Sequence, residues 1–349
     1  MNAVNKLGSP AHQDCPRNQW YVIAFSHEIT QAPLQRRIAG DMVAIFRTAD
    51  GEVIALADRC PHRGMPLSKG KVIDNVIQCG YHGIQYGKTG QCVKIQSQQS
   101  LPKAMSVRKY PVVETWQWVW IWPGDSTKAD PALIPDHNKL GLGGAEGWYS
   151  TPILFMPLDS NSEMLHENLL DTTHISFLHP GMFDSGGTAA VEPDMQFDGN
   201  VIRISREFEE VPTSSSAKVF QLREGALYRR LLMTEEYAPN LSVITNRFTD
   251  AAGKDQPHTN VAIIGVTPAG PQQCYLLLAQ ATNYPDTVTP DRVEHLRAVI
   301  VQDRDALGAI QAIYDEVGPD APEVSLKADL AALKFRRLMD DMVKSEASG

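Results

Sequence analysis

C-P-H at Cys60–His62 and C-G-Y-H at Cys79–His82 decide how this chain is read. Each string supplies one cysteine and one histidine, and 16 residues separate the two strings. A zinc site usually groups two cysteines together and two histidines together. Here both strings are mixed. That pattern suits a binuclear iron–sulfur cluster in which Cys60 and Cys79 hold one iron while His62 and His82 hold the other. Imidazole in place of thiolate removes negative charge from one iron and raises the reduction potential. The first third of the chain therefore reads as an electron relay.

The sequence around these strings is that of a small β-domain. M-V-A-I-F-R (Met42–Arg47), V-I-A-L-A (Val53–Ala57) and V-I-Q-C (Val76–Cys79) are rich in β-branched residues, and Asp50-Gly51 between the first two is a hairpin-turn signal. Thr89-Gly90 marks a later turn. T-W-Q-W-V-W-I-W (Thr115–Trp122) places tryptophans at 116, 118, 120 and 122, and period 2 predicts all four rings on one face of a strand, in a core or a subunit interface. Pro123-Gly124-Asp125 ends that strand. The domain is set at 18–125, with a Pro-containing linker running to Pro135.

A second domain is set at 147–349. Val201–Phe208, Leu241–Phe248, Asn260–Thr267 and Cys274–Thr282 have strand composition and predict an antiparallel sheet, whereas Pro290–Tyr314 and Ser325–Val343 show helical periodicity. In the last segment Leu326, Leu330, Leu333, Leu338 and Met342 are read as the apolar side, with Arg336, Arg337, Asp340 and Lys344 elsewhere. The fold class is α+β.

Composition bounds the rest. The chain has 349 residues, enough for two cores, with 43% hydrophobic and 21% charged residues, ordinary for a globular protein. A net charge of −9 without any Lys/Arg cluster argues against nucleic-acid binding. No apolar run approaches the roughly 20 residues that span a bilayer, and M-N-A-V-N-K-L-G-S-P lacks the apolar core of a secretion signal. With Cys60 and Cys79 committed to a cluster, Cys15, Cys92 and Cys274 are read as reduced thiols of a cytoplasmic protein.

N-L-L-D-T-T-H-I-S-F-L-H (Asn168–His179) is the second concentration of chemistry. Asp171 and His174 lie three apart, about 60° round a helix, whereas an unbroken helix would carry His179 roughly 140° from His174. Pro180 pushes His179 out of the α region, so the helix should loosen there and let the imidazoles converge. Two such histidines are the first part of a 2-His-1-carboxylate iron site. The carboxylate is assigned to Asp303, because Leu296, Val299, Ile300, Asp303, Leu307 and Ile310 form one apolar stripe, and a buried carboxylate must be neutralised by a metal or a cation such as Arg297 or Arg304. Asp305, about 200° round the helix, should face water.

With N-x-W-Y at Asn18–Tyr21, C-P-H-R, C-x-Y-H-G, V-W-I-W-P-G-D ending at Asp125, N-L-L-D-x-x-H-x4-H and the Q-D-R-D-A-L helix around Asp303, most of the chain resembles the oxygenase (alpha) component of the Rieske non-haem iron oxygenases. The likeness is to the group that holds vanillate and dicamba O-demethylases and toluenesulfonate methyl-monooxygenase. It implies a β-rich Rieske domain followed by a helix-grip, START-like catalytic domain. It implies a [2Fe–2S] cluster on Cys60, His62, Cys79 and His82, and a mononuclear Fe(II) on His174, His179 and Asp303. Asp171 resembles the family's electron-transfer bridge between His82 of a neighbouring subunit and His174, which implies a head-to-tail homotrimer. Asn168 matches a position near the iron. The strand H-T-N-V-A-I-I-G-V-T-P carries Ile263 and Ile264 where a relative specialised for a carboxylated aromatic could present a polar anchor, leaving Asn240 and His258 as candidate polar contacts and an apolar substrate as the expectation.

The chemistry so implied is monooxygenation of a small aromatic with O2 as co-substrate, most simply O-demethylation of a methoxyarene with formaldehyde release; N-dealkylation, methyl hydroxylation and ring dihydroxylation are the alternatives. The chain has no G-x-G-x-x-G fingerprint, so NAD(P)H electrons are expected from a separate reductase of the flavin and ferredoxin type. Two other classes stand beside this one: a Rieske electron carrier without catalysis, which leaves everything beyond residue 125 without a purpose, and a structural zinc protein that binds a partner.

Overall fold

The computed structural model describes residues 15–142, 144, 146–180, 182, 187–212, 220–254, 256–285, 288–318 and 322–348; the N-terminal ten residues read above as lacking a secretion signal lie outside them. The described chain forms two compact units, residues 17–134 with 267–270, and the remainder.

The first unit is all β. It contains β1 (Tyr21–Phe25), β2 (Leu34–Ile38), β3 (Asp41–Arg47), β4 (Val53–Ala57), β5 (Lys71–Ile73), β6 (Val76–Gln78), β7 (Gln85–Tyr86), β8 (Cys92–Lys94), β9 (Lys109–Tyr110), β10 (Val112–Thr115) and β11 (Trp118–Ile121). They pair into three small sheets in the orders β1-β11-β10, β2-β3-β4-β9 and β5-β6-β7-β8. Apolar side chains of β3, β4, β6 and β7 close one core, with Phe46, Ile54, Ile77 and Tyr86 fully buried. The tryptophan row is shorter than its period suggests. Thr115 pairs with Trp118, so Trp116 falls in a two-residue turn with φ +54°, and the strand begins only at Trp118. Trp118, Trp120 and Trp122 are buried, the first two edge to face at 5.7 Å.

The second unit is one seven-stranded antiparallel sheet with helices. Its strands are β12 (Tyr149–Leu158), β13 (Asp194–Asp198), β14 (Val201–Pro212), β15 (Leu227–Tyr237), β16 (Leu241–Asp250), β17 (His258–Gly270) and β18 (Gln273–Thr282), in the order β12-β18-β17-β16-β15-β14-β13. Composition alone picks out four of the seven. It misses β15 because Arg229, Arg230, Glu235 and Glu236 break its apolar pattern, yet Arg230 and Glu236 are buried and paired, to Asn246 and His166.

The helices are α1 (Ser162–Leu170), α2 (Ile175–Leu178), α3 (Pro290–Val317) and α4 (Leu330–Ser348). Leu165 and Leu169 of α1 and Ile300 and Leu307 of α3 pack into one core with Ile264, Leu276 and Leu278 of the sheet. Thr289 caps α3 by accepting from the Arg292 N–H, and Pro290 fills its first turn, where a missing N–H costs nothing. The apolar stripe of α3 runs through Asp303 and Leu307 but leaves Ile310 46% exposed; Gln311 takes the buried place instead, accepting from the Asn161 N–H at 3.0 Å. In α4 the buried side is Ala331, Phe335, Arg336 and Met339, over Leu170, Ile202 and Ile204; of the predicted apolar side Leu338 and Met342 pack against this core, whereas Leu326 and Leu330 are more than half exposed. Arg336 is buried because it pairs with Glu167 and Glu323, a reason that hydropathy patterning cannot see. No helix among the described residues is long and apolar enough to cross a membrane. None of the described cysteines forms a disulfide.

Candidate metal centres

The two Cys/His strings form matching loops. Gly64 donates to the Cys60 carbonyl at 2.9 Å and Gly83 to the Cys79 carbonyl at 3.1 Å, and both glycines take φ values, +76° and +68°, that other residues resist. Each loop thus turns back on its own cysteine and aims its histidine outward. The thiols are 1% exposed, while His62 and His82 face solvent with their Nδ1 atoms 3.1 Å apart. Burial raises the Cys79 thiol, with Cys60 close enough to add to the shift. Two buried sulfurs and two converging imidazole nitrogens form a donor set that fits a mixed-ligand [2Fe–2S] cluster. Tyr86, which the strings alone do not indicate, places its hydroxyl 3.1 Å from Cys60 Sγ. Burial foremost, then the contact with Cys60, holds that hydroxyl far above the ordinary phenol range, so it remains a donor.

The second centre is built where a helix is interrupted twice. α1 ends at Asp171 (φ −90°, ψ 89°), a 3-10 turn covers Thr172–His174, and after α2 His179 leaves the helical region at φ −117°, ψ 51°, as the proline behind it requires. Asp171 and His174 therefore do not share one continuous helix. The Asp171 carboxylate caps the new turn, accepting from the Thr173 N–H at 2.9 Å and hydroxyl at 2.6 Å, and it is the Asp171 main-chain carbonyl that receives the His174 Nδ1–H. The bridge to His174 that the resemblance implies therefore meets that residue through the Asp171 main chain and not through its carboxylate. Arg206, buried, donates to the Thr172 hydroxyl and ties the turn to β14.

α3 completes the centre. Asp303, 8% exposed, lies with Oδ1 at 3.1 Å from His179 Nε2 and 3.6 Å from His174 Nε2, and it accepts from Asn168 Nδ2 at 3.2 Å. The neighbouring cations are engaged elsewhere, Arg304 with Asp305 and Arg297 with Glu294. Gln302 Oε1 accepts from His179 Nδ1 at 2.7 Å. A carbonyl oxygen only accepts, so the acceptors on each Nδ1 hold that nitrogen as the donor and leave Nε2 on the side of the carboxylate. One ligand atom from each of the three residues lies within 4.8 Å of the others, close enough for one cation to be shared among them. That donor set and its orientation fit a mononuclear iron. Burial pulls His174 below the ordinary imidazole range. In His179 burial acts the same way, but Asp303 and Gln302 together outweigh it and the net shift is upward.

The three residues lie at the wall of a cavity of about 140 Å³ whose lining is mainly aliphatic, with Leu165, Ile175, Ile264 and Leu296 among it. Of the residues read from sequence as substrate contacts, Ile264 faces this cavity. Asn240 does not: it sits in the β15–β16 turn, its carbonyl accepting from the Val266 N–H. Nor does His258, which stacks on the Tyr284 ring at 4.7 Å. On the sheet side the polar lining is Arg230, Asn246, Asn260 and Gln280, all inward positions of adjacent strands whose register cannot be read before the pairing is known, and Asn168 and Thr172 add to it from the α1 side.

Comparison with known proteins identifies the family. The Rieske [2Fe–2S] domain matches residues 19–111, and the vanillate O-demethylase oxygenase C-terminal domain matches residues 158–345. A putative toluene-4-sulfonate monooxygenase system iron–sulfur subunit from Comamonas testosteroni is 30% identical over 95% of this chain and 98% of its own. The dicamba O-demethylase oxygenase component of Stenotrophomonas maltophilia is 40% identical over 47% of each chain. The crystal structure of dicamba monooxygenase with non-haem iron and dicamba superposes with a TM-score of 0.78 at 26% identity, covering 95% of this chain and 98% of that one. The chain belongs to the Rieske non-haem iron oxygenases as the oxygenase component of a monooxygenase. Its cofactors are a Rieske [2Fe–2S] cluster and a non-haem iron, and its place is in a multi-component system.

Proposed function

We propose that this chain is the terminal oxygenase of a cytoplasmic O-demethylase acting on a single-ring methoxyarene. His174, His179 and Asp303 would hold the mononuclear iron, and Cys60, His62, Cys79 and His82 the cluster. The reading rests above all on two imidazoles turned by acceptors on Nδ1 toward one buried carboxylate, at the wall of an aliphatic cavity. An apolar cavity of about 150 Å³ is known to admit a benzene ring, and this one is about 140 Å³.

His174, His179 and Asp303 would hold the iron, which would supply the dioxygen activation and oxidising power for C–H hydroxylation. In balance, a methoxyarene, O2, two electrons and two protons give a hemiacetal and water, and the hemiacetal falls apart to a phenol and formaldehyde. The chain contributes placement. Aliphatic walls take up the ring and keep water from the reacting methyl group. Gln302 and the Asp171 carbonyl fix the direction of the imidazoles, and Asn168 steadies Asp303 from the cavity side. A separate NAD(P)H reductase with flavin and a ferredoxin-type cluster would feed electrons one at a time. In a head-to-tail homotrimer, Asp171 would carry them from His82 of a neighbouring copy to His174. Its main-chain carbonyl holds His174 Nδ1–H, and its half-buried carboxylate, bonded to Thr173, would be the side that meets His82 of the neighbouring copy.

The test is a screen of methoxyarenes, N-alkylarenes and methylarenes with purified oxygenase, reductase and NADH. Formaldehyde and phenol in equal amounts from a methoxyarene, lost in Asp303→Ala along with one iron of the three in a loaded chain, is the expected result. Hydroxymethyl or diol products without formaldehyde would overturn the demethylase reading.

A further inference from the structure

The sheet side of the cavity carries three side-chain amides, Asn246 on β16, Asn260 on β17 and Gln280 on β18. Asn246 and Asn260 stand directly opposite each other across the β16–β17 ladder. The Asn246 oxygen is committed: Arg230 Nε and Nη2 donate to it at 3.0 and 2.7 Å, with the guanidinium lying 5.6 and 5.7 Å from the Phe208 and Phe248 ring centres. Arg230 therefore fixes the orientation of that amide. Asn260 and Gln280 differ. Each is 4% exposed, yet Asn260 Nδ2 and Gln280 Oε1 have no hydrogen-bond partner among the described residues. Buried amide atoms are nearly always satisfied. A donor and an acceptor left unmet on one cavity wall mark the place of a ligand group that offers both.

We propose that Asn260 and Gln280 recognise a hydroxyl on the substrate ring, which makes the substrate an uncharged methoxyphenol. Asn260 Nδ2–H donates to the hydroxyl oxygen, and the hydroxyl proton goes to Gln280 Oε1. Exchanging O and N in both amides reverses the two bonds and keeps the fit. A ring carboxylate or sulfonate only accepts, so it would set its charge against the Gln280 oxygen. The inference rests on the cavity being the substrate pocket proposed above, and it names what enters.

Calorimetric titration of the iron-loaded holoenzyme tests it with methoxyphenol, methoxybenzene and methoxybenzoate. Methoxyphenol should bind about tenfold or more tightly than methoxybenzene. Asn260→Leu and Gln280→Met should each shrink that preference to about threefold or less, by weakening methoxyphenol and not by weakening methoxybenzene. Gln280→Met preserves side-chain length and carries the test alone if Asn260→Leu loses its cluster absorbance or cooperative melting. A preference that survives in the folded variants overturns the proposal, and so does a wild-type preference for methoxybenzoate, which would make Arg230 the anchor. Formaldehyde measured alongside keeps the two readings apart: selective binding without formaldehyde refutes the demethylase alone, and formaldehyde without selective binding refutes the hydroxyl site alone.

Discussion

Gln302→Leu should weaken iron binding at the mononuclear site without touching the cluster. His179 is 2% exposed, and its Nδ1–H has the Gln302 oxygen at 2.7 Å as its partner. A metal on Nε2 requires the proton to stay on Nδ1. In the metal-free variant the proton can move to Nε2 and donate to Asp303, 3.1 Å away, so the free protein largely escapes the loss. The bound protein cannot. The cost of an unsatisfied buried N–H, about 1–3 kcal/mol, therefore falls almost wholly on the metal-bound state, which predicts roughly 5- to 150-fold weaker binding. That interval encloses the 10- to 100-fold commonly found when a partner of a ligating histidine is removed. His174 provides the internal contrast. Its Nδ1–H is held by the main-chain carbonyl of Asp171, which Asp171→Asn leaves in place. That variant should keep iron affinity within about threefold, since the side chain caps Thr173 and makes no hydrogen bond to His174.

Competition with a chelator, read as iron retained per chain while cluster absorbance reports folding, measures both variants. Gln302→Glu retains an acceptor and should restore binding. Wild-type affinity in Gln302→Leu, or equal weakening in Asp171→Asn, would refute the assignment of which group orients which imidazole.

Three further outcomes follow from contacts elsewhere. Tyr86→Phe removes a donor from Cys60 Sγ, so the reduced cluster loses about 1 kcal/mol of stabilisation and its midpoint potential should fall by roughly 40 mV, measurable by redox titration. Arg336→Met strands the partly buried Glu167 and should lower the melting temperature of the catalytic unit by about 10 °C, an effect absent if that pair is not formed in solution. Burial holds the Glu236 carboxyl above its ordinary range, beside His166 at 2.8 Å. An unfolded glutamate titrates near ~4.3, so the contribution of Glu236 to stability is complete below that pH and is lost as pH rises through the higher folded value. Glu236→Gln should match wild type in acid and gain on it as pH rises above the unfolded value; parallel melting profiles would contradict this.

What could be read from the sequence divides along a physical line. Local signals were enough where a covalent spacing does the work: Cys60 with His62, Cys79 with His82, and His179 forced out of the helix by Pro180 are consequences of a few adjacent residues. Asp303 was legible for a second reason, since a carboxylate inside an apolar stripe is anomalous wherever the helix ends up. The misplaced residues depend on pairings that periodicity does not encode. Arg336 reads as solvent-facing until Glu167, 169 positions away in sequence, is set against it. β15 reads as too charged for a central strand until Asn246 and His166 are found beside its buried ends. Asn240 and His258 are polar and belong to the right sheet, but which inward position faces the cavity is decided by the register between strands, and one residue of slip exchanges the two faces. The chemistry of iron is therefore written in short motifs, while the chemistry of the substrate is written in strand register, which explains how a chain can declare its reaction class in a few spaced residues and keep its specificity for the fold.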